Sequence, residues 1–358
     1  MTGLASSAPR PQDELAPQTA EGVRTGAVSR KELASVLRSL VALLVLIALP
    51  AVLRAQDSSP SPGADEYTIN VDVNMVVLRV TAQDHKGALV SGLNKADFQI
   101  YEDGVLQQTK YFSHEDLPVT VGLVIDNSGS MTPKRADVIA AALAFARSSN
   151  PLDQMFVVKF NEKVSFGLPA NTPFTDQVPQ LQVALSRISS SGETALYDAV
   201  VAALDHLKKG TRDKKVLIVI SDGGDNASKH KLKEITALAG QPDAIIYTIG
   251  IFDEQDGDRN PSVLKRLAKD TGGEAFLPQS LKDVAPICEQ IAHDIRNQYT
   301  LAYVPANRKR DGSYRVIQVK ANSRDRGHLS VRTRTGYFAP VGPQTLPTSK
   351  AIDHEGQN

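Results

Sequence analysis

Three short stretches of this sequence carry oxygen donors at positions where a fold can gather them. The first is Asp126-Asn127-Ser128-Gly129-Ser130, the second Gly192-Glu193-Thr194, and the third Asp222-Gly223-Gly224-Asp225. Asp126, Ser128, Ser130, Thr194 and Asp222 offer carboxylates and hydroxyls and nothing softer. Such a set, completed by water, is what a hard divalent cation such as Mg²⁺ accepts, in a near-octahedral array at about 2.0–2.1 Å. Any one stretch alone reads as a turn or a helix cap, because Ser, Asp and Gly are common there. Their coincidence at the ends of two apolar strands and the start of a helix favours a site. Asn127, Glu193, Asp225 and Asn226 read as rim or turn residues. Asp198, one helical turn after Thr194, reads as a hydrogen-bond acceptor that supports a ligand.

Buried strands must deliver these donors. Apolar runs at 119–125 (VTVGLVI), 155–160 (MFVVKF), 216–221 (VLIVIS), 244–251 (AIIYTIGI) and 273–277 (GEAFL) alternate with helical patterns at about 133–148, 176–188, 195–208, 231–239, 261–270 and 280–296. This alternation predicts an α/β fold, a doubly wound, mostly parallel sheet with helices on both faces. Sheets of this kind bind ligands outside the carboxyl ends of their strands. VTVGLVI runs into Asp126 and VLIVIS into Asp222, which is that edge.

At these residues the sequence resembles the von Willebrand factor type A domain, whose metal-ion-dependent adhesion site uses an Asp-X-Ser-X-Ser loop, a separate Thr and a separate Asp. The resemblance covers about residues 119–296, half of the chain, and all five positions match in order. It implies that Ser128, Ser130 and Thr194 hold a metal through their hydroxyls, and Asp126 and Asp222 directly or through water. Mg²⁺ is the expected ion, with Mn²⁺ or Ca²⁺ as substitutes. Glu193 stands where a Gly is expected beside the Thr. Two carboxylates roughly balance one dication, which leaves a coordination position open for an Asp or Glu of a partner. The implied function is non-enzymatic, metal-dependent protein binding of the adhesion type, with a protein partner and no nucleic acid. The last helix of such domains can shift when ligand binds, which implies that 281–296 couples the site to its neighbours. Flanking β segments with an ending such as Arg334-Thr335-Gly336-Tyr337-Phe338 are similar to those of bacterial exported proteins related to this family.

The rest of the chain fits an exported protein. With 358 residues, 40 Lys+Arg against 40 Asp+Glu, 41% hydrophobic and 22% charged residues, the composition excludes a wholly disordered, collagen-like or polytopic membrane protein. Formal neutrality gives no general case for nucleic-acid binding. Residues 1–38 are polar and basic. Residues 39–55 hold a charge-free apolar run of 15 residues, 39–53, short for a spanning helix and suited to a signal-peptide core cleaved near Ala55-Gln56; left uncleaved, it would be a membrane anchor. A linker follows at 56–66, then short alternating strands at 67–118 with a hairpin signal at Asp103-Gly104. After the α/β stretch of 119–296, strands return at 297–339, and 340–358 is a polar tail. Each β segment is small for an independent domain, so the two are expected to pair as one all-β sandwich into which the α/β domain is inserted.

Competing chemistries find less support. An aspartyl-phosphate hydrolase of the haloacid dehalogenase type would use Asp126 as nucleophile, but it needs an Asp where Ser128 stands, and no general acid is left beside it. A membrane-anchored regulatory or assembly subunit would use the same five residues. The acidic loop 253–258 lacks EF-hand spacing and reads as solvated. Residues 296–334 hold 10 Lys+Arg against Asp311 and Asp325, read as a solvated basic face in which Arg332 and Arg334 alternate with Val331 and Thr333. Cys288 is the one cysteine, which excludes an internal disulfide and a Cys-based zinc site, and its apolar neighbours make it a core thiol. The seven His residues form no HExxH motif.

Overall fold

The computed structural model describes residues 75–186, 192–239, 244–252, 257 and 259–342. Every described residue belongs to one compact unit, which lies within Val71–Asn358. The apolar run 39–53, the linker 56–66, most of the acidic loop 253–258 and the tail beyond 342 lie outside the described residues. Among the described residues no helix is long and apolar enough to cross a membrane.

In chain order the first strands are β1 (Val76–Gln83), β2 (Phe98–Glu102), β3 (Val105–Gln107) and β4 (Thr109–Ser113). The α/β stretch follows with β5 (Val119–Asp126), α1 (Arg135–Ser148), β6 (Gln154–Phe160), β7 (Val164–Phe166), α2 (Val178–Ser186) and α3 (Leu196–Leu207). It continues through β8 (Lys214–Ser221), α4 (Leu232–Ala239), β9 (Ala244–Gly250), α5 (Pro261–Thr271), β10 (Ala275–Phe276) and α6 (Val284–Arg296). The chain ends in β11 (Tyr299–Tyr303), β12 (Tyr314–Ser323), β13 (Gly327–Arg332) and β14 (Gly336–Phe338).

The six-stranded sheet runs β10-β9-β8-β5-β6-β7, parallel except for β7, a three-residue antiparallel edge strand absent from the sequence expectation. β5 is buried along its whole length, as a strand covered on both faces must be. Its alternate residues feed two cores. Val121, Leu123 and Ile125 pack with α1, α2 and α6, and Val124 packs with α3, α4 and α5. Gly122 belongs to the second face, where an added Cβ would come within 2.5 Å of the Phe156 ring and 2.6 Å of Leu217. β5 and β8 are neighbours in parallel register, Ile125 opposite Ile220, and the chain departs from this pair in opposite directions. The crevice at their carboxyl ends is the switch point where such sheets take ligands.

The flanking strands do pair with one another, but as a single sheet and not as the expected sandwich. Its order is β3-β2-β12-β13-β1-β11-β4, with β14 also on β12. The two ends of that path, β3 and β4, are separated in the chain by Gln108 alone. The sheet therefore closes on itself, which removes the exposed edges that two stacked sheets would leave. Inside lie Leu78, Val80, Phe98, Ile100, Leu301 and Ile317. The α/β stretch leaves after β4 and returns at β11, and these two strands pair.

The solvated basic face expected for 296–334 is corrected at three arginines. β12 alternates with Ile317, Val319 and Ala321 inward, and that phase carries Arg315 inside, where it is 2% exposed. Glu102, equally buried, meets it at 3.2 Å and also accepts hydrogen bonds from the hydroxyls of Tyr303 at 2.6 Å and Tyr337 at 2.9 Å. Arg334 is buried and donates to the carbonyl of Val77. Arg332 pairs with Asp294 of α6 and with Glu274.

Asp294 is the knot between the closed sheet and the α/β stretch. It accepts from Thr81 of β1 at 3.0 Å and from the Tyr247 hydroxyl of β9 at 2.6 Å, besides pairing with Arg332. Nearby, Lys214 donates to the carbonyl of Ile295 at 2.6 Å, and burial pushes its ammonium down to about 8. These contacts gather at the amino ends of β5 and β8. The carboxyl ends point away from the closed sheet.

Removing Glu102 strands a buried guanidinium, so Glu102→Ala should cost about 3–5 kcal/mol, measured as a lowered midpoint in urea. Asp205→Ala, which breaks an exposed pair with Lys208, should leave the midpoint nearly unchanged.

Candidate functional site

β5 ends in Asp126, 3% exposed, and the chain folds back over that carboxylate. Oδ1 accepts from the backbone N–H of Ser128 at 2.9 Å and from its hydroxyl at 2.6 Å, a turn that Asp makes readily. Oδ2 accepts from the Ser221 hydroxyl, at the end of β8, at 2.5 Å. The hydroxyls of Ser128 and Ser130 are 3.2 Å apart, and Ser130 donates to Asp222 Oδ2 at 2.6 Å. Asp222 Oδ1 accepts from the N–H of Gly224 at 3.0 Å. An unbroken line of oxygens thus runs from Asp126 through both serines to Asp222. Gly223 makes the turn at φ 80°, where a Cβ would strike the carbonyl of Asn260 at 2.4 Å.

Thr194 stands across the cleft, on the loop that enters α3. Its N–H donates to Asn226 Oδ1 at 2.8 Å, while the N–H groups of Asn226 and Ala227 donate to its carbonyl at 3.0 and 3.1 Å. Asp225 caps the start of α3 by accepting from Tyr197 N–H at 3.2 Å and holds Ser228 at 2.6 Å. Asn226 and Asp225 therefore lash the Thr194 loop to the loop that carries Asp222. Asp198 accepts from the N–H groups of Lys229 and His230 and extends the same lashing. On the other side, Gly129 N–H donates to the carbonyl of Gly192 at 3.2 Å. Gly192, at φ 88°, leaves room for the Glu162 carboxylate where its own Cβ would be.

The structure brings all five sequence-derived residues together. Ser128, Ser130, Thr194 and Asp222 line a cleft of about 190 Å³, and Asp126 lies buried beneath it. Glu193 is on its exposed rim. Two contributors escape a sequence reading: Ser221 has a signal, a hydroxyl beside Asp222 at the end of a buried strand, whereas Glu162 is placed by tertiary contacts alone. Asn226, read from the sequence as a rim or turn residue, holds the Thr194 backbone.

The described residues lining the cleft include no Lys or Arg. Burial pushes the Asp126 carboxyl up to about 6; the charge of Asp222 adds to the rise, and the hydrogen bonds from Ser128 and Ser221 oppose it. All-oxygen donors around two carboxylates fit a hard divalent cation, and they fit no soft metal.

The fold and the cleft define a doubly wound domain with an oxygen-lined site at its switch point. Residues 121–224 match the family model described as von Willebrand factor type A domain. Comparison with curated proteins gives no match. Among solved structures, a von Willebrand factor type A protein from Catenulispora acidiphila is 14% identical, covers 76% of each chain and has a TM-score of 0.46. The conserved hypothetical protein BatB from Bacteroides thetaiotaomicron is 18% identical over 49% of this chain and 98% of that one, with a TM-score of 0.41. The von Willebrand factor domain of the type V pili tip protein Mfa5 from Porphyromonas gingivalis is 14% identical over 50% and 95%, with a TM-score of 0.43.

In the metal-free chain the Asp126 carboxyl binds its proton more tightly folded than unfolded. Stability should therefore fall as pH rises from about 4 to about 6, the interval between the ordinary value and the raised one. Asp153, raised to about 6 chiefly by burial, contributes with the same sign. Thermal melts in chelator across this range should show a smaller decline for Asp126→Asn than for the parent; equal declines would contradict the assignment.

Proposed function

We propose that this chain is an exported, non-enzymatic protein-binding module that depends on Mg²⁺, with Mn²⁺ or Ca²⁺ able to substitute. The observation that carries the reading is the line of oxygens from Asp126 through Ser128 and Ser130 to Asp222, facing Thr194 across an open cleft. Ser128, Ser130 and Thr194 would hold the ion by hydroxyl oxygens, and Asp126 and Asp222 directly or through water. When bound, the ion supplies an electrophilic coordination position open to the cleft. A partner's Asp or Glu completes it. The chain's own part is to hold the hydroxyls still, to keep Asp126 buried with both oxygens occupied, and to leave Glu162 and Glu193 on the rim, where they disfavour a partner acidic all round. Export rests on the apolar run 39–53. If that run stays attached, the same site serves a membrane-anchored assembly subunit. An aspartyl-phosphate enzyme is disfavoured because Ser128 occupies the position of the acid it needs.

Calorimetric titration of the full chain with Mg²⁺ should give one saturable site, lost in Asp222→Ala. Asn226→Ala should weaken it by about 10–100-fold, as loss of a residue that orients a ligand does, while the melting temperature in chelator changes little. Capture of a partner from the envelope fraction should need both Mg²⁺ and Asp222. Capture that survives chelator and Asp222→Ala would sink the reading.

A further inference from the structure

The closed sheet has two ends. One carries the α/β stretch. The other is built from the Asp103-Gly104 hairpin, the loop 304–313 and residues 339–342. Six exposed large apolar side chains collect there: Val105, Leu106, Tyr314, Val316, Phe338 and Val341, the last 81% exposed. Tyr314 and Phe338 face each other across β12 and β14 with ring centroids 5.1 Å apart, and Val316 is the next outward residue of β12. Further along, the outward positions turn polar, with Gln318 and Lys320. Exposed apolar side chains gathered at one end of a sheet mark a candidate docking surface.

Beside the patch the loop presents Arg308 and Lys309, both exposed. Its backbone is fixed from within, because the buried Arg315 donates to the carbonyls of Asn307 and Lys309. The exposed acids at this end are engaged, Asp311 by the N–H and hydroxyl of Ser313 and Asp103 by the N–H of Val316. Two copies meeting through this patch about a two-fold axis would set like-charged loops against each other. An anionic lipid surface suits both features, since the apolar side chains enter the interface and the cations meet the headgroups. The chain also enters β1 at this end, just after Met75. We propose that this end of the closed sheet rests on an anionic membrane surface, which points the candidate metal cleft away from the lipid. This proposal is independent of whether the cleft binds metal.

The sequence contains no Trp, so Phe338→Trp in the full chain places a single reporter in the patch. On vesicles of phosphatidylglycerol and phosphatidylcholine with brominated acyl chains, its emission should shift to the blue and be quenched. Vesicles of phosphatidylcholine alone should quench it far less. Arg308→Glu with Lys309→Glu should weaken anionic-vesicle binding by about tenfold or more, at about 1 kcal/mol per basic residue near the surface. Phe166→Trp, on the edge of the parallel sheet, should remain unquenched on the same vesicles. Absence of quenching for Phe338→Trp overturns the proposal, whether or not the chain floats with the vesicles through residues 39–53. A blue shift that grows with protein concentration without lipid overturns it in favour of a second copy.

Discussion

The site depends on the register between β5 and β8. With Ile125 opposite Ile220, the two strands leave the sheet at the same level, and Asp126 meets Ser221 at 2.5 Å with Asp222 one residue on. That register is set by apolar packing. A slip of one residue would exchange the faces of β5 and put a side chain where Gly122 leaves space for Phe156 and Leu217. The apolar core thus decides where the polar groups lie. A buried carboxylate is costly unless its oxygens are satisfied, and Asp126 is satisfied by three donors that this register supplies.

The second constraint is the way the α/β stretch is held. It leaves and re-enters the closed sheet through β4 and β11, which hydrogen-bond to each other, so both connections lie at one point. A two-strand attachment alone would permit the two parts to pivot. Asp294 opposes this by joining α6 to β1, β9 and β13 at once. The cleft, at the other ends of the parallel strands, is left clear of the attachment.

Much of this was legible in the sequence because the signals are local. Buried parallel strands read as continuous apolar runs, and VTVGLVI ending in Asp126 and VLIVIS ending in Ser221-Asp222 declare both strand and site. β7 was not legible, since three residues on an antiparallel edge, two of them exposed, leave no apolar run. Closure of the second sheet was hidden for a different reason. It depends on Gln108 dividing one extended stretch between β2 and β11, strands distant in sequence. The phase of β12 was available from Ile317, Val319 and Ala321, yet the basic residues of 296–334 read as solvated because the acids that neutralise Arg315 and Arg332, Glu102 and Asp294, lie on other elements. Asn226 likewise gains its role only when the loop after β8 folds back on Thr194.

The buried pair of Glu102 and Arg315 needs an account beyond stability. Apolar residues of like volume in such a place are often neutral or better, because desolvating two charges offsets most of their attraction. What an apolar pair could not do is bind the carbonyls of Asn307 and Lys309. Arg315 reaches those two from inside the sheet while Glu102, with Tyr303 and Tyr337 on its other oxygen, fixes the guanidinium in place. The charge in the interior therefore acts on the surface, since it holds an exposed basic loop in one conformation that no local helix or hairpin would impose. A loop so ordered loses little conformational freedom when it meets a partner surface, which is the condition under which two basic side chains contribute usefully to docking.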